Sequence, residues 1–324
     1  MFDRTVSNGA TIFYRMFGWM VLGTLAAFLI NNILIVAFGY NEVQIADGIT
    51  IGNALQLSIY ASGLLGGMAI VYASSSLNLR QDSVRIHCFN LFIIRTAFWI
   101  VCLTGIADSL LAFMRVENLL IYFVSKETAA SLGYSNFVAP ILHLPIMIIG
   151  LALGMWTRTL GFLWLSLLIV AAELLIVISR FVFSYEQALM GDLVRYWYAA
   201  LFLFSSAYTL YDEGHVRVDV LYAGFSRRAR GRTNSIGSIF FGGATCVVIL
   251  LIGMGSKQSI INSPIAIFEV SQAGNIGMFI KYQMAAFLAI FASTMLIQFV
   301  SYFLESVADV RDEPGARQTN AVVQ

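Results

Sequence analysis

Long apolar segments alternate with short polar segments along most of the chain. A helix needs about 20 apolar residues to cross the hydrocarbon core of a bilayer. Segments of at least that length without any acidic residue, lysine or arginine are Met16–Tyr40, Gly48–Leu79, Thr128–Thr157, Thr233–Ser256 and Tyr282–Leu304. Three further apolar segments are shorter or contain a few charges: Thr96–Met114, Leu160–Phe183 and Arg195–Tyr211. The pattern therefore predicts an all-α, polytopic helical membrane protein with about eight transmembrane helices.

The composition agrees with this prediction. Hydrophobic residues make up 59% of the chain, charged residues only 11%, and the mean hydropathy is +0.80. A soluble domain carries about 25% charged residues, because polar groups must cover its surface. The formal net charge of +1 gives no reason to expect nucleic acid as a partner.

The distribution of basic residues predicts an orientation. Most of the 19 lysines and arginines fall on one side of the membrane if the eight helices are threaded in turn. Cytoplasmic loops are enriched in these residues, so we expect both termini to be cytoplasmic. The first apolar segment is too long for a cleaved signal peptide and lacks a small-residue cleavage site, so we expect it to remain as a span.

The segment "YDEGHVRVDVLYAGFSRRARGR" (Tyr211–Arg232) is rich in arginine and lies between two apolar segments. At helical spacing, Val218, Leu221, Tyr222 and Phe225 form one apolar face. We therefore expect a short amphipathic helix in the headgroup region, where arginines meet anionic lipids. An ordinary cytoplasmic loop without ordered structure is the alternative. The residues placed at this lipid or cytoplasmic interface are His215, Arg217, Asp219, Arg227 and Arg228.

Several segments in the second half of the chain resemble one family of membrane proteins. "GHVRVDVLY" (Gly214–Tyr222) resembles the signature of the DctQ-like small membrane subunit of TRAP (tripartite ATP-independent periplasmic) transporters. Upstream, "ISRFVFSYEQALMGDLVRYWYAALFLFSSAYTL" (Ile178–Leu210) resembles the end of the family's first span and its second span. Downstream, "FEVSQ" (Phe268–Gln272), Lys281 and a closing apolar segment resemble its last third. The similarity covers Leu160–Ala308, or roughly half of the chain.

The resemblance implies a division of the chain into three parts. Family members usually have four spans, so residues 1–157 form an additional four-span region and residues 158–310 the DctQ-like region. Residues 311–324 form a polar cytoplasmic tail. "DSVRIH" (Asp82–His87) is similar to "GHVRVD" in the second region, which leaves a tandem duplication as an alternative origin of the first.

The resemblance also implies a function. In such systems a periplasmic binding protein captures an organic acid or related solute, and a large membrane subunit carries it inward with a sodium gradient. The small permease subunit braces the large one. We therefore expect a multi-pass protein of the bacterial inner membrane, whose partners are the large TRAP membrane subunit, the periplasmic substrate-binding protein and membrane lipids. A self-sufficient eight-span secondary carrier is the alternative.

Charges within or beside the spans are the candidate site residues. A charge near the bilayer centre costs at least ~2.5 kcal/mol on insertion scales. Glu173 is expected to bond another helix or the large subunit, with a proton or sodium pathway as the alternative; Arg180 is expected to snorkel or to pair with Glu186 or Asp192. Asp108 is expected to reach the outer interface. The residues predicted at a subunit interface or in a structural role are Glu173, Arg180, Asp192, Arg195, Glu269, Ser271 and Lys281.

Other chemistries have little support in the sequence. His143 is the only histidine within a span, whereas a transmembrane haem needs paired ligands, so we expect His143 to bond a neighbouring carbonyl at a helix entry. Cys88, Cys102 and Cys246 show no paired spacing, and no nucleotide-binding glycine pattern occurs. The sequence therefore predicts no cofactor, no metal site and no enzymatic activity.

Overall fold

The chain is helical, as shown by a computed structural model that describes residues 9–40, 51–186, 188–212, 222, 224–270 and 277–316. In chain order the α-helices are α1 (Gly9–Phe38), α2 (Ile51–Ala73), α3 (Leu79–Val116), α4 (Lys126–Ser131), α5 (Ser135–Val138), α6 (Leu144–Trp156), α7 (Phe162–Phe183), α8 (Ala188–Tyr211), α9 (Arg227–Gly237), α10 (Ala244–Met254), α11 (Asn262–Ala266) and α12 (Lys281–Val310). Shorter elements are a 3₁₀ turn at Leu120–Tyr122 and π-helical turns at Ala139–His143 and Ser238–Gly243. Within the described residues every regular element is helical, which confirms the all-α prediction.

Seven helices in the described part of the chain are long and apolar enough to cross a membrane. Two of these spans run through a π-helical turn, namely Ser135–Trp156 and Arg227–Met254. The aromatic segment predicted as an eighth span is α8, but its tyrosines and serines lower its hydropathy and it is not one of the seven. The polytopic helical membrane protein is thus confirmed, while the cytoplasmic location of the termini stays a prediction.

One predicted boundary is wrong. The apolar segment that was expected to span from Thr128 belongs at first to α4, which is separated from α5 by a turn. The side chain of Ser125 caps α4 by accepting the N–H of Thr128 at 3.2 Å. The continuous span begins only at Ser135, because the chain leaves the helical conformation at Leu132–Tyr134.

The first of two compact units comprises Met1–Phe89, Leu210–Val248 and Met295–Gln324. Within this unit α1 and α2 pack with their backbones close together. A Cβ atom on Gly63 would lie only 2.4 Å from the carbonyl oxygen of Gly23, and one on Gly67 would lie 2.6 Å from that of Trp19. Glycine is therefore required at this contact, as at many helix pairs in membranes.

The second unit comprises Asn90–Thr209 and Ile249–Thr294. Its core includes Tyr196, Phe204 and Phe287, whose rings pack with centroids 5.0–5.1 Å apart. α6 approaches α3 through a glycine, since a Cβ atom on Gly154 would lie 2.2 Å from Oγ1 of Thr96. The second unit contains the whole of α7.

The sequence-based division of the chain after residue 157 stays a prediction. Each compact unit draws on segments from both sides of that position. The duplication hypothesis also stays open: Asp82–His87 lies near the start of α3, but the similar "GHVRVD" segment lies outside the described residues.

Candidate subunit interface and buried polar clusters

α7 contacts the rest of the second unit along a narrow stripe. Leu165 and Ser179 are buried, with 1% and 8% of their surface exposed, and they lie on one side of the helix. The large apolar side chains on the other side are exposed, among them Leu163, Val170 and Phe181. Only 11% of the most apolar 18-residue stretch of α7 is buried, although the mean hydropathy of this stretch, 2.5, is the highest among the seven spans. α7 therefore offers a broad apolar surface.

Glu173 lies near the middle of α7 and is exposed. The helix has 22 residues, so its length is about 33 Å and Glu173 lies close to the level of the bilayer centre. No hydrogen bond or ion pair joins its carboxylate to the described part of the chain. The expected bond to another helix of this chain is therefore not observed among the described residues, and a partner subunit stays a prediction.

The neighbouring predicted residues have different environments. Nε of Arg180 lies 3.5 Å from a carboxylate oxygen of Glu186, and both side chains are 61% exposed. Asp192 is buried at the start of α8 and accepts the backbone N–H of Met278 at 3.2 Å. Arg195 is exposed on the same helix. Of the two acids considered for Arg180, the structure thus shows an ion pair with Glu186.

Glu269 and Lys281 form an ion pair just before and at the start of α12. Their side chains are 33% and 46% exposed, so solvent weakens the attraction. The other predicted interface residue of this segment, Ser271, lies outside the described residues. His215, Arg217 and Asp219 of the basic segment also lie outside them, and their proposed contact with lipid stays a prediction.

A buried cluster around Asp108 was not predicted from the sequence. Asp108 is fully buried in α3, so the expectation that it reaches the outer interface is wrong. Its Oδ1 atom lies 3.2 Å from Nε2 of His143, and Nδ1 of His143 lies 2.7 Å from the hydroxyl of Tyr282. A neutral imidazole satisfies both contacts by donating Nε2–H to Asp108 and accepting the Tyr282 hydroxyl proton. The carbonyl partner expected for His143 is therefore also wrong.

The same cluster fixes the irregular backbone that precedes α12. Asp108 Oδ2 accepts the N–H of Phe279 at 2.6 Å, and Asp192 accepts the neighbouring N–H of Met278. Arg115 donates to the carbonyl of Gly277 at 2.8 Å, and its guanidinium lies 3.7 Å above the Phe279 ring. Backbone groups outside a helix must find partners where water is scarce. These three charged side chains supply such partners.

A cleft of about 470 Å³ lies within the second unit. Apolar side chains from α3, α6, α8, α11 and α12 form most of its wall. The polar residues of the wall are Thr96, Tyr282 and Gln283, and none of the described residues that line it is charged. Among the described residues, the wall of the cleft therefore offers no cation that could bind an organic anion.

The first unit contains a network of arginines and acids. Arg80 binds Glu305, Asp309 at 2.7 Å and the carbonyl of Glu313 at 3.1 Å, and its side chain is only 7% exposed. Arg227 contacts Asp309 at 2.9 Å, and Arg228 contacts Asp312 at 2.5 Å. Arg227 and Arg228, which were predicted to contact lipid, thus pair with acidic residues of the chain itself. Both remain about half or more exposed, which leaves contact with lipid a prediction.

The environment of Glu313, beyond the end of α12, has an electrostatic consequence. Burial raises the pKa of its carboxyl above the ordinary value of 4.5, while the charges of Arg311 and Arg80 act in the opposite direction.

No metal centre accompanies these acids: among the described residues there is no group of three or more His, Cys, Asp or Glu side chains that could hold an ion.

One comparison with known proteins identifies the matched part of this chain. Neither the curated proteins nor the solved structures give a match. Residues 169–309 match the family described as tripartite ATP-independent periplasmic transporters, DctQ component. The matched residues run from the middle of α7 to the end of α12, and the apolar helices of the first half come in addition. The resemblance stated from the sequence is thereby confirmed: residues 169–309 of this multi-pass membrane protein match the family of DctQ, or small permease, components of TRAP transporters.

Proposed function

We propose that the chain braces the large transport subunit of a TRAP transporter in the bacterial inner membrane. The large subunit would carry an organic acid or related solute inward, driven by a sodium gradient and supplied by a periplasmic binding protein. The family match supports the role of small permease component. The resemblance of the sequence motifs motivates the sodium coupling, the substrate class and the partners.

The exposure of α7 is the observation that carries the bracing role. The most apolar 18-residue stretch of α7 is 11% buried, whereas the corresponding stretch of α12 is 50% buried, although both helices belong to the matched family region. A helix that makes so few contacts within its own chain has most of its surface available for another subunit. Lipid can cover the apolar part of that surface, but lipid tails cannot bind the carboxylate of Glu173.

A self-sufficient carrier is the second candidate. The buried pair of Asp108 and His143 favours it, because ionisable residues within spans often mark ion pathways and His143 ends a π-helical turn. Two observations weigh against it. Asp108 bonds groups of the fold itself, namely His143 and the N–H of Phe279, and the cleft beside Tyr282 has no charged wall residue among those described.

Reconstitution separates the two candidates. Liposomes that contain the chain alone, with a sodium gradient and the radiolabelled organic acid on its binding protein, should show no uptake above empty vesicles. Liposomes that contain both membrane subunits should show uptake. Sodium-dependent uptake by the chain alone that is lost in Asp108→Asn, but not in the matched exposed variant Glu186→Gln, would establish the carrier and refute the bracing role.

A further inference from the structure

The charge of Glu173 cannot be neutralised along α7 itself. Arg180 is the nearest basic residue on that helix, and it lies seven residues away, which is about 10 Å along the helix axis. Arg180 contacts Glu186 instead, at 3.5 Å. In the described part of the chain no other group bonds the Glu173 carboxylate. An ionised carboxylate at this depth must therefore meet a group other than the described residues of this chain, or draw water into the bilayer.

Glu173 lies in a regular row of residues along one side of α7. The row consists of Ser166, Val170, Glu173, Val177 and Arg180, with spacings of four, three, four and three. This spacing averages 3.5 residues and is the pattern by which one helix packs along another. We call these five residues the Glu173 seam.

The seam is separate from the stripe by which α7 packs on its own unit. With 100° per residue, Glu173 lies about 80° around the helix from buried Leu165. Val170 and Val177 lie still farther from Leu165 and are 63% and 49% exposed. A second helix can therefore contact the seam while Leu165 and Ser179 keep their internal contacts.

We propose that the Glu173 seam is the docking line for a transmembrane helix of the large subunit that brings an arginine, a lysine or another hydrogen-bond donor to the level of Glu173. This inference rests on the proposed function and names the chemistry of its partner. The apolar members of the seam pack against the partner helix, and the carboxylate determines the register. A charge-assisted hydrogen bond inside a helix contact is strong and directional, so it selects one helix among many apolar ones.

Co-purification with the large subunit tests the role of the carboxylate. Glu173→Leu should reduce the recovered large subunit about ten-fold or more per unit of chain, because it leaves the donor of the partner unpaired. Glu173→Gln keeps a hydrogen-bond acceptor and should lose less. Leu175→Ala is the matched control: it removes an exposed side chain, 55% accessible, on the side of α7 opposite the seam, and should leave recovery unchanged.

Cross-linking tests the geometry independently of stability. A photoreactive residue at position 170 or 177 should cross-link to the large subunit, whereas one at position 171 or 175, on the opposite side of α7, should cross-link several-fold less. If the wild-type chain fails to recover the large subunit, the proposed function fails and this inference fails with it. If recovery is normal in Glu173→Leu, or cross-linking is strongest at 171 and 175, the seam is refuted and the bracing role stands.

Discussion

α7 and α12 are both apolar helices of the matched family region, yet they differ in the residues that they bury. α7 is the more apolar, with a mean hydropathy of 2.5 against 1.9, and it is buried far less. α12 carries serine and glutamine residues on its buried side, and two of their side chains bond to α3. Ser301 Oγ donates to the carbonyl of Ser83 at 2.9 Å, and Oε1 of Gln298 lies 2.9 Å from Nδ1 of His87, both in the first unit.

The comparison shows why hydropathy alone does not distinguish an internal helix from a peripheral one in a membrane. Lipid tails are as apolar as leucine, so an apolar surface gains little by turning inward. Polar side chains do gain, because they find partners only inside the protein. The polar residues of α12 find such partners within the chain, whereas Glu173 of α7 does not among the described residues. This contrast supports the proposal that α7 contacts a second subunit.

The largest expected difference concerns the ionic contacts of the two helices. Arg80→Ala removes the buried partner of Glu305 and Asp309 in α12 and should lower the free energy of unfolding by about 3 kcal/mol, since two partly buried acids lose a counter-charge. Arg180→Ala at the end of α7 removes the exposed partner of Glu186 and should lower the free energy of unfolding by less than about 1 kcal/mol. Denaturation of each variant in detergent measures both values. Equal losses would contradict the contrast.

A matched pair of phenylalanines gives the next effect. Phe287 in α12 is 2% exposed and Phe181 in α7 is 78% exposed. Phe287→Ala should lower the free energy of unfolding by at least about 2 kcal/mol, because Tyr196 and Phe204 lose their packing contacts with the ring and a cavity remains. This loss is expected even in a membrane, where hydrophobic transfer contributes little. Phe181→Ala should leave the free energy of unfolding of the isolated chain unchanged. Thermal unfolding of both variants in the same detergent is the measurement.

A smaller effect is expected from the ion pair at the end of α7. A double-mutant cycle with Arg180→Ala and Glu186→Ala should give a coupling energy below about 1 kcal/mol, because both side chains are 61% exposed. Addition of salt should reduce it further. A coupling of several kcal/mol in the isolated chain would mean that this end of α7 is enclosed rather than available to a partner.

The smallest effect concerns the segment that follows α12. The pKa of Glu313 is raised by burial, so its protonated form is favoured in the folded chain. The protonated Glu313 carboxyl therefore contributes fully to stability when the pH is below 4.5, the ordinary pKa of glutamate. This contribution is lost as the pH rises through the raised pKa of the folded chain. Glu313→Gln, which cannot ionise, should remove this part of the pH dependence. Thermal unfolding in steps upward from pH 4.5 compares the two chains, and identical profiles would contradict the assignment.

The sequence predicted the spans well because the thickness of the bilayer imposes a length and a composition on every helix that crosses it. α7 begins two residues after the start of its predicted segment and ends with it, whereas α12 begins one residue before its predicted segment and continues six residues beyond it. Where the pattern was less regular the prediction was weaker, as at Thr128, where a capped helix precedes the span.

The polar contacts were much harder to predict. Asp108 and His143 are 35 residues apart in the chain, and Asp108 and Phe279 are 171 apart. Hydropathy does not say which side of one helix faces another, so Asp108 was expected at the interface. The occurrence of an acid and a histidine within spans was nevertheless a usable signal, because each needs a polar partner at that depth.

The accessibility of α7 to the bilayer tests the central claim most directly. A nitroxide label at Val170, in a chain whose three free cysteines are replaced by serine, reports collision with oxygen dissolved in the hydrocarbon. We predict high oxygen accessibility in the chain alone and a several-fold decrease when the large subunit is present. A label at Ile252, which is 72% exposed on α10, should remain accessible in both samples. Unchanged accessibility at Val170 in a purified complex would show that lipid, not the large subunit, covers this face of α7.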